Sequence, residues 1–316
     1  MKSVNLRIAT RKSPLAIWQS EEVQRRLQVN NISSQLVPMS TRGDEILDKP
    51  LATIGGKGLF IKELQKALLE GRADLAVHSM KDVPADFPDG LHLGAILNRD
   101  DPTDAFVSNR FDSLNELPSG ARVGTCSQRR RSQILESHPH LNVIDLRGNV
   151  NTRLAKLDRG DYDAIILATA GLTRLDLQQR ITRRLPIQEM LPACAQGAIG
   201  VECSSTDANL NGLLQQLHDE DTAVRVRCER SLNAALGGSC QTPIGGFATL
   251  DGEQLHLRAL VATPDGRTVL RAQQTDSRNN AKQLGEAVAQ ALITQGADRI
   301  IADLSTESAK AHENVA

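Results

Sequence analysis

The loop GGSCQTPIGG, Gly237–Gly246, hangs one cysteine among glycines, small polar residues and a proline. Structural cysteines behave as small buried hydrophobes on regular elements, so Cys240 is either idle core or a thiol held out for covalent chemistry. A second candidate is HSMKDVP, His78–Pro84, which follows the apolar stretch Leu75–Val77 and so emerges at a strand end with Ser79, Lys81 and Asp82. Asp82 can serve as general acid or base or stabilise a developing cation; equally, an aspartate before a turn caps it, with Lys81 as a surface partner. His78, alone at a strand end, reads as a satisfied structural group. The third feature is electrostatic. Predicted helix starts carry Arg11 and Lys12, Lys57, Arg129 to Arg131, and Arg147 with Arg153, where the helix dipole favours acidic residues. RRR alone reads as a solvated face. The same conflict at several corresponding places is resolved by a bound polyanion, because N–H groups, dipoles and guanidinium forks all point at it. The implied ligand is rich in carboxylates or phosphates.

Other chemistries are disfavoured. In TIGGKGLF, Ala52 stands where a phosphate loop needs its first glycine, and Gly58 rather than Ser or Thr follows Lys57, so nucleotide hydrolysis is not indicated. The stretch from Thr41 to Gly58 reads as a lid over a cleft or as a plain surface loop. The five cysteines, Cys126, Cys194, Cys203, Cys228 and Cys240, form no CxxC pair, which argues against a disulfide framework and a structural zinc. No metal site and no Ser/His/Asp set is visible. With 37 basic and 38 acidic residues, and only one Trp, one Tyr and five Phe, general attraction to nucleic acid and base stacking are not expected. No apolar run is long enough to cross a bilayer, and MKSVNLRIATRKS lacks the apolar core of a signal peptide, so a cytoplasmic protein with no membrane partner is expected.

The elements that must position these groups follow from the pattern. Leu6 to Ala9 reads as a strand, and Ser13-Pro14 opens a helix to about Leu27. Arg122 to Gly124 repeats that layout, turning through Thr125, Cys126 and Ser127 into a helix beginning QRRRSQILE. IKELQKALLEGRADLAVHS and NTRLAKLDRGDYDAIILAT share the order amphipathic helix, glycine, aspartate, apolar strand. Two similar α/β lobes with mixed, largely parallel sheets are expected, with ligands at the carboxyl ends of strands. The chain passes between them near Leu97 to Phe106 and near Leu191 to Glu202. The expected division is domain 1 at residues 1–98 and 192–208, domain 2 at 99–191 and domain 3 at 209–316. In domain 3 one long helix, roughly 209–236, leads into the cysteine loop. Three strands, FATL, LHLRALVAT and TVLRAQQT, and a helix from Ala281 to Gln295 complete a small α+β unit.

RIATRKSPLA, STRGD, GGKGLFIKELQ, DLAVHSMKDVP, DAFVS, GTCSQRRR, DLRGNVNTRLAKL, ATAGLTRL, PACAQGAIGVE and SCQTPIGG together resemble the hydroxymethylbilane synthase (porphobilinogen deaminase) family in order and spacing over nearly the whole chain. The resemblance implies a fold of two lobes like type II periplasmic binding proteins plus a smaller α+β domain. It also implies that the enzyme joins four porphobilinogen units head to tail and releases the linear tetrapyrrole hydroxymethylbilane. It makes Cys240 the thioether anchor of a dipyrromethane cofactor and Asp82 the catalytic carboxylate. The cofactor would be held by Lys81, Asp82, Ser127, Arg129, Arg130 and Arg147. Substrate side chains would be held by Arg11, Ser13, Ser79, Arg147, Arg153, Arg174 and Gln196, and Lys57 and Phe60 would belong to the lid. Family members are typically monomeric. Cys126 stands where relatives often have Ser, Gln128 where Leu is frequent, and Thr53 where some place Lys. The alternative reading is a non-catalytic bilobal receptor for a small anion, which explains the arginines but not Cys240.

Overall fold

The computed structural model describes residues 5–41, 61–239 and 242–304. By contacts these separate into two compact units: residues 5–41, 61–100 and 197–223 in the first, and 101–196 and 224–304 in the second.

In the first unit, β1 (Asn5–Arg11) points Leu6 and Ile8 into the core and then hands over to α1 (Pro14–Val29). The handover is sharp because Ser13 caps the helix, accepting from the Ala16 N–H at 3.4 Å, and Pro14 supplies a preset first turn. β2 (Ser33–Met39) and β3 (Leu75–Ser79) run parallel to β1 on either side. β10 (Ile199–Ser204) inserts antiparallel between β3 and β4 (Leu91–Ile96), giving the order β2-β1-β3-β10-β4. The second unit repeats this arrangement. β6 (Arg122–Gly124) is parallel to β7 (Asn142–Ile144) and β8 (Ala164–Ala168), and β5 (Asp104–Val107) lies antiparallel between β8 and β9 (Arg183–Leu185). Each lobe is thus a mixed sheet whose odd antiparallel strand comes from beyond the chain crossover.

The duplication extends to the joints. α2 (Lys62–Leu69) and α4 (Val150–Asp158) both end in paired bonds that return to the last turn: Gly71 to Leu68 and Arg72 to Ala67 in one, Gly160 to Leu157 and Asp161 to Lys156 in the other. Gly71 and Gly160 adopt φ of 65° and 81°, a left-handed step that glycine takes without penalty. The aspartate before each following strand then clamps the strand beside it. Asp74 accepts from the Arg7 N–H while its own N–H donates to the Arg7 carbonyl, and Asp163 does the same with Arg122.

Beyond Ser204 the single helix expected over 209–236 is two helices, α6 (Ala208–Leu214) and α7 (Glu220–Ala235). The break is a cap: Asp219 accepts from the Thr222 N–H at 2.8 Å and starts α7 afresh. Leu210 and Leu214 of α6 pack in the first unit's core. Val224, Cys228 and Leu232 of α7, with Leu236 just after it, pack instead with α8 (Ala281–Thr294) and the antiparallel meander β11 (Ile244–Asp251), β12 (Gln254–Ala262), β13 (Val269–Ser277). The fold is α/β, with two mixed-sheet lobes and a small α+β C-terminal domain.

Candidate active site

In the first unit the candidates gather at the carboxyl ends of two neighbouring parallel strands. Arg11 closes β1 and Ser13 caps α1, while Ser79 closes β3 and a single helical turn, Met80–Asp82, follows it. The turn is held by the Met80 N–H on the Ala198 carbonyl at 3.0 Å and the Val83 N–H on Met80 at 3.2 Å. Asp82 is half-buried, and among the described residues its carboxylate has no hydrogen-bond or ion-pair partner. It therefore does not cap the turn, the alternative open in the sequence. Ser79 is tied to α1: its hydroxyl accepts from Gln19 Nε2 at 2.8 Å and lies 3.2 Å from Gln19 Oε1. His78 is structural. Its Nε2 meets Glu202 of β10 at 2.8 Å, and the same fully buried carboxylate accepts from Gln65 of α2 at 2.9 Å.

In the second unit the arginines occupy the equivalent strand ends. α3 (Gln128–Ser137) is capped by Ser127 Oγ on the Arg130 N–H at 3.4 Å, and α4 by Asn149 Oδ1 on the Thr152 N–H at 2.9 Å. The first turns of α1, α3 and α4 contain no acidic residue, so basic groups and positive helix ends do coincide. Arg129 and Arg130 are both buried and converge on one carboxylate that sequence reasoning missed, Asp104 at the start of β5. Arg129 Nη1 donates to Asp104 Oδ2 at 2.8 Å and to the Leu191 carbonyl at 2.7 Å. Arg130 donates to Asp104 Oδ1 through Nε and Nη2 at 3.1 and 2.6 Å, and to the Ile166 carbonyl at 3.0 Å. Gln196 reaches the same oxygen at 2.8 Å. An acid opening an otherwise apolar strand, DAFV, is the sequence signal that could have flagged it.

The charges do not balance. Burial raises the Asp104 carboxyl, yet Arg129 and Arg130 outweigh it and hold the group far below the usual carboxylate range. One carboxylate thus serves two guanidinium groups. Arg153 of α4 donates through Nε to the Gly148 carbonyl at 2.8 Å and lies with Nη2 3.8 Å from Cys126 Sγ. Burial pushes its guanidinium down, the Cys126 thiol opposes this, and the nearby charges of Arg130 and Arg147 add to the depression. Arg147 lies between β7 and α4, and Arg174 ends α5 (Thr169–Arg174), which follows β8. Buried guanidinium groups that outnumber the carboxylate they share favour a further anion beside them. Arg129 Nε is buried without an acceptor among the described residues, so the cluster has donors to spare.

The chain leaves α7 through Gly237 at φ 64°, with Gly238 N–H on Asn233, toward the cysteine loop. Ser239 and Thr242 bond to each other there. Cys240 and the lid candidates Lys57 and Phe60 lie outside the described residues.

Two family models match the chain: "Porphobilinogen deaminase, dipyromethane cofactor binding domain" over residues 6–212 and "Porphobilinogen deaminase, C-terminal domain" over residues 223–294. The chain belongs to the porphobilinogen deaminase family. Porphobilinogen deaminase is a transferase of tetrapyrrole synthesis, also called hydroxymethylbilane synthase, and both lobes fall in the family's dipyrromethane-binding domain. Among solved structures the chain is similar to the methionine-binding protein MetQ, with 12% identity, a TM-score of 0.43 and coverage of 69% of this chain and 92% of that one. A periplasmic substrate-binding protein of an ABC transporter from Coxiella burnetii gives 15% identity, a TM-score of 0.41 and coverage of 68% and 92%. The VFT2 domain of BvgS from Bordetella pertussis gives 14%, 0.41, 67% and 85%. No helix among the described residues is long and apolar enough to cross a membrane, and no group of three or more His, Cys, Asp or Glu there is arranged to hold a metal.

Proposed function

We propose that the protein is a cytoplasmic, monomeric hydroxymethylbilane synthase that deaminates porphobilinogen and condenses four units head to tail on a dipyrromethane primer linked to Cys240. Each substrate unit carries an acetate and a propionate, so the growing chain is a polycarboxylate. The observation that carries the reading is the guanidinium cluster at the strand ends of the second unit, where Arg129 and Arg130, both buried, share the single carboxylate of Asp104 and Arg153 is depressed first by burial and then by the charges of Arg130 and Arg147. That surplus, with the buried Arg129 Nε lacking an acceptor, fits a ligand rich in carboxylates.

When bound, the dipyrromethane supplies the pyrrole end to which the first substrate unit is joined. Lys81, Asp82, Ser127, Arg129, Arg130 and Arg147 are assigned to hold it. Arg11, Ser13, Ser79, Arg147, Arg153, Arg174 and Gln196 are assigned to substrate side chains. Asp82, with no partner among the described residues, would accept from a pyrrole N–H, stabilise the cation that develops as ammonia leaves, and take the proton released when the new carbon–carbon bond forms. Ammonia and product are the readout. Incubation with porphobilinogen should release four ammonia for each linear tetrapyrrole. A protein that binds porphobilinogen and releases neither is an anion receptor instead.

A further inference from the structure

Three of the assigned ligands, Arg129, Arg130 and Gln196, are held by one acid that is not itself among them. Asp104 is fully buried, and its position in β5 is opposite Ala168, at the carboxyl end of β8. Its Oδ1 accepts from Arg130 Nε, Arg130 Nη2 and Gln196 Nε2, and its Oδ2 from Arg129 Nη1. With these four bonds and no exposed surface, Asp104 is spent on the protein's own donors rather than offered to a substrate. The donors it leaves behind are informative. Nη1 of Arg129 is spent on Asp104 and on the Leu191 carbonyl, which leaves the Nε–H, buried and without an acceptor, and the two N–H groups of Nη2. Arg130 keeps one N–H on each terminal nitrogen. A guanidinium gripped along one edge presents the other edge as a rigid fork, which is the arrangement that binds a carboxylate in two places at once.

We infer that Asp104 is a positioning residue: a fixed internal counter-ion that grips Arg129 and Arg130 by one edge each and so sets the fork that receives a substrate or cofactor carboxylate. The inference rests on the proposed synthase reading for its ligand and on the second unit alone for its geometry. It separates two effects of the acid. Its charge weakens the local positive field, while its bonds fix the direction of the donors; for a bidentate contact direction dominates, so losing Asp104 weakens binding although it makes the pocket more positive.

Asp104→Asn isolates this. Whichever way the amide turns, its NH2 faces a guanidinium donor, so one arginine loses its grip while side-chain volume is kept. KM and kcat for porphobilinogen are measured in wild type, Asp104→Asn, Arg129→Ala and the double variant, with exchange of the arginine Nε–H signals followed by NMR in wild type and Asp104→Asn. The expected result is a KM raised about tenfold in Asp104→Asn with a much smaller change in kcat. Adding Asp104→Asn to Arg129→Ala should then raise KM by less than about twofold, because with Arg129 gone the amide turns its NH2 to the vacated side and its oxygen still accepts from Arg130. Slow exchange of the Arg129 or Arg130 Nε–H should be lost in Asp104→Asn. An unchanged KM, or full additivity with Arg129→Ala, overturns the inference and leaves the synthase reading standing. A wild type that does not turn over porphobilinogen refutes the synthase reading, and the NMR arm then decides alone: unchanged Nε–H exchange in Asp104→Asn overturns the positioning role, and its loss upholds it.

Discussion

The buried carboxylate of Glu202 ties β3, the strand that ends near Asp82, to α2, and removing it should have a large, local cost. Glu202 is fully buried, with Gln65 Nε2 at 2.9 Å and His78 Nε2 at 2.8 Å as its partners. In Glu202→Ala both donors remain inside with nothing to donate to, at about 1–3 kcal/mol each, and the lost side chain leaves a cavity. A total of roughly 3–5 kcal/mol follows, the range found when a buried pair loses one member. Glu202→Gln keeps the volume and one acceptor and should cost about 1–2 kcal/mol. Trp18, the only tryptophan, packs against the core of this same unit, so its fluorescence reports the unit's unfolding in urea. With a slope of about 2 kcal/mol per molar for a domain of this size, the midpoint should fall by roughly 2 M for Ala and by less than about 1 M for Gln. Equal midpoints for Ala and Gln, or an Ala shift within error of wild type, would show that the network does not hold the strand.

Four further outcomes follow from other parts of the molecule. Gly266 has φ +70°, and a Cβ there would lie 2.4 Å from the Ser132 carbonyl oxygen and 2.5 Å from the Glu136 nitrogen of α3; Gly266→Ala should cost the second unit about 1–3 kcal/mol, and a wild-type melting temperature would contradict the close approach. Because the Asp104 carboxyl is depressed in the fold, its contribution to stability is complete above the ordinary value of about 4 and is lost as pH falls below it. The stability gap between wild type and Asp104→Asn should therefore be constant from pH 5 to 8 and narrow below about pH 4; a gap that closes near neutrality would refute the ion pair. Burial pushes the thiols of Cys203 and Cys228 up to about 12, whereas Cys126 and Cys194 are partly exposed, so alkylation of the native protein at pH 8 should label Cys126 and Cys194 first, and early labelling of Cys203 would contradict the packing. On the proposed function, Cys240→Ser should abolish turnover by losing the anchor, and Asp82→Ala should nearly stop chain extension while the fold survives. Near-normal product release from either variant would remove that residue from its role.

What could be read from the sequence was local and repeated. Helix, glycine, aspartate and strand recur at Lys62–Ser79 and at Val150–Ala168, because a left-handed glycine and a short buried strand are written in adjacent residues. The Ser13-Pro14 start and the arginines at helix N-termini were legible for the same reason. The break at Asp219 was available, since an aspartate followed by acidic residues, Glu220 and Asp221, is a helix-start signal, but the helical pattern on both sides concealed it. What stayed hidden was pairing across long separations. Asp104 lies 25 residues from Arg129, and Glu202 lies 124 from His78, and no periodicity connects them. Arg129 and Arg130 therefore read only as ligand donors, whereas the fold gives part of each to an internal acid.

The central claim is that this chain carries a dipyrromethane on Cys240 and extends it with porphobilinogen. Intact mass under denaturing conditions, followed by peptide mapping before and after incubation with porphobilinogen, tests it most directly. The account predicts a mass excess of one dipyrromethane on the peptide containing Cys240, and transient additions of single pyrrole units once substrate is present. A chain that remains unmodified after that incubation, or an adduct on any other cysteine, would contradict it.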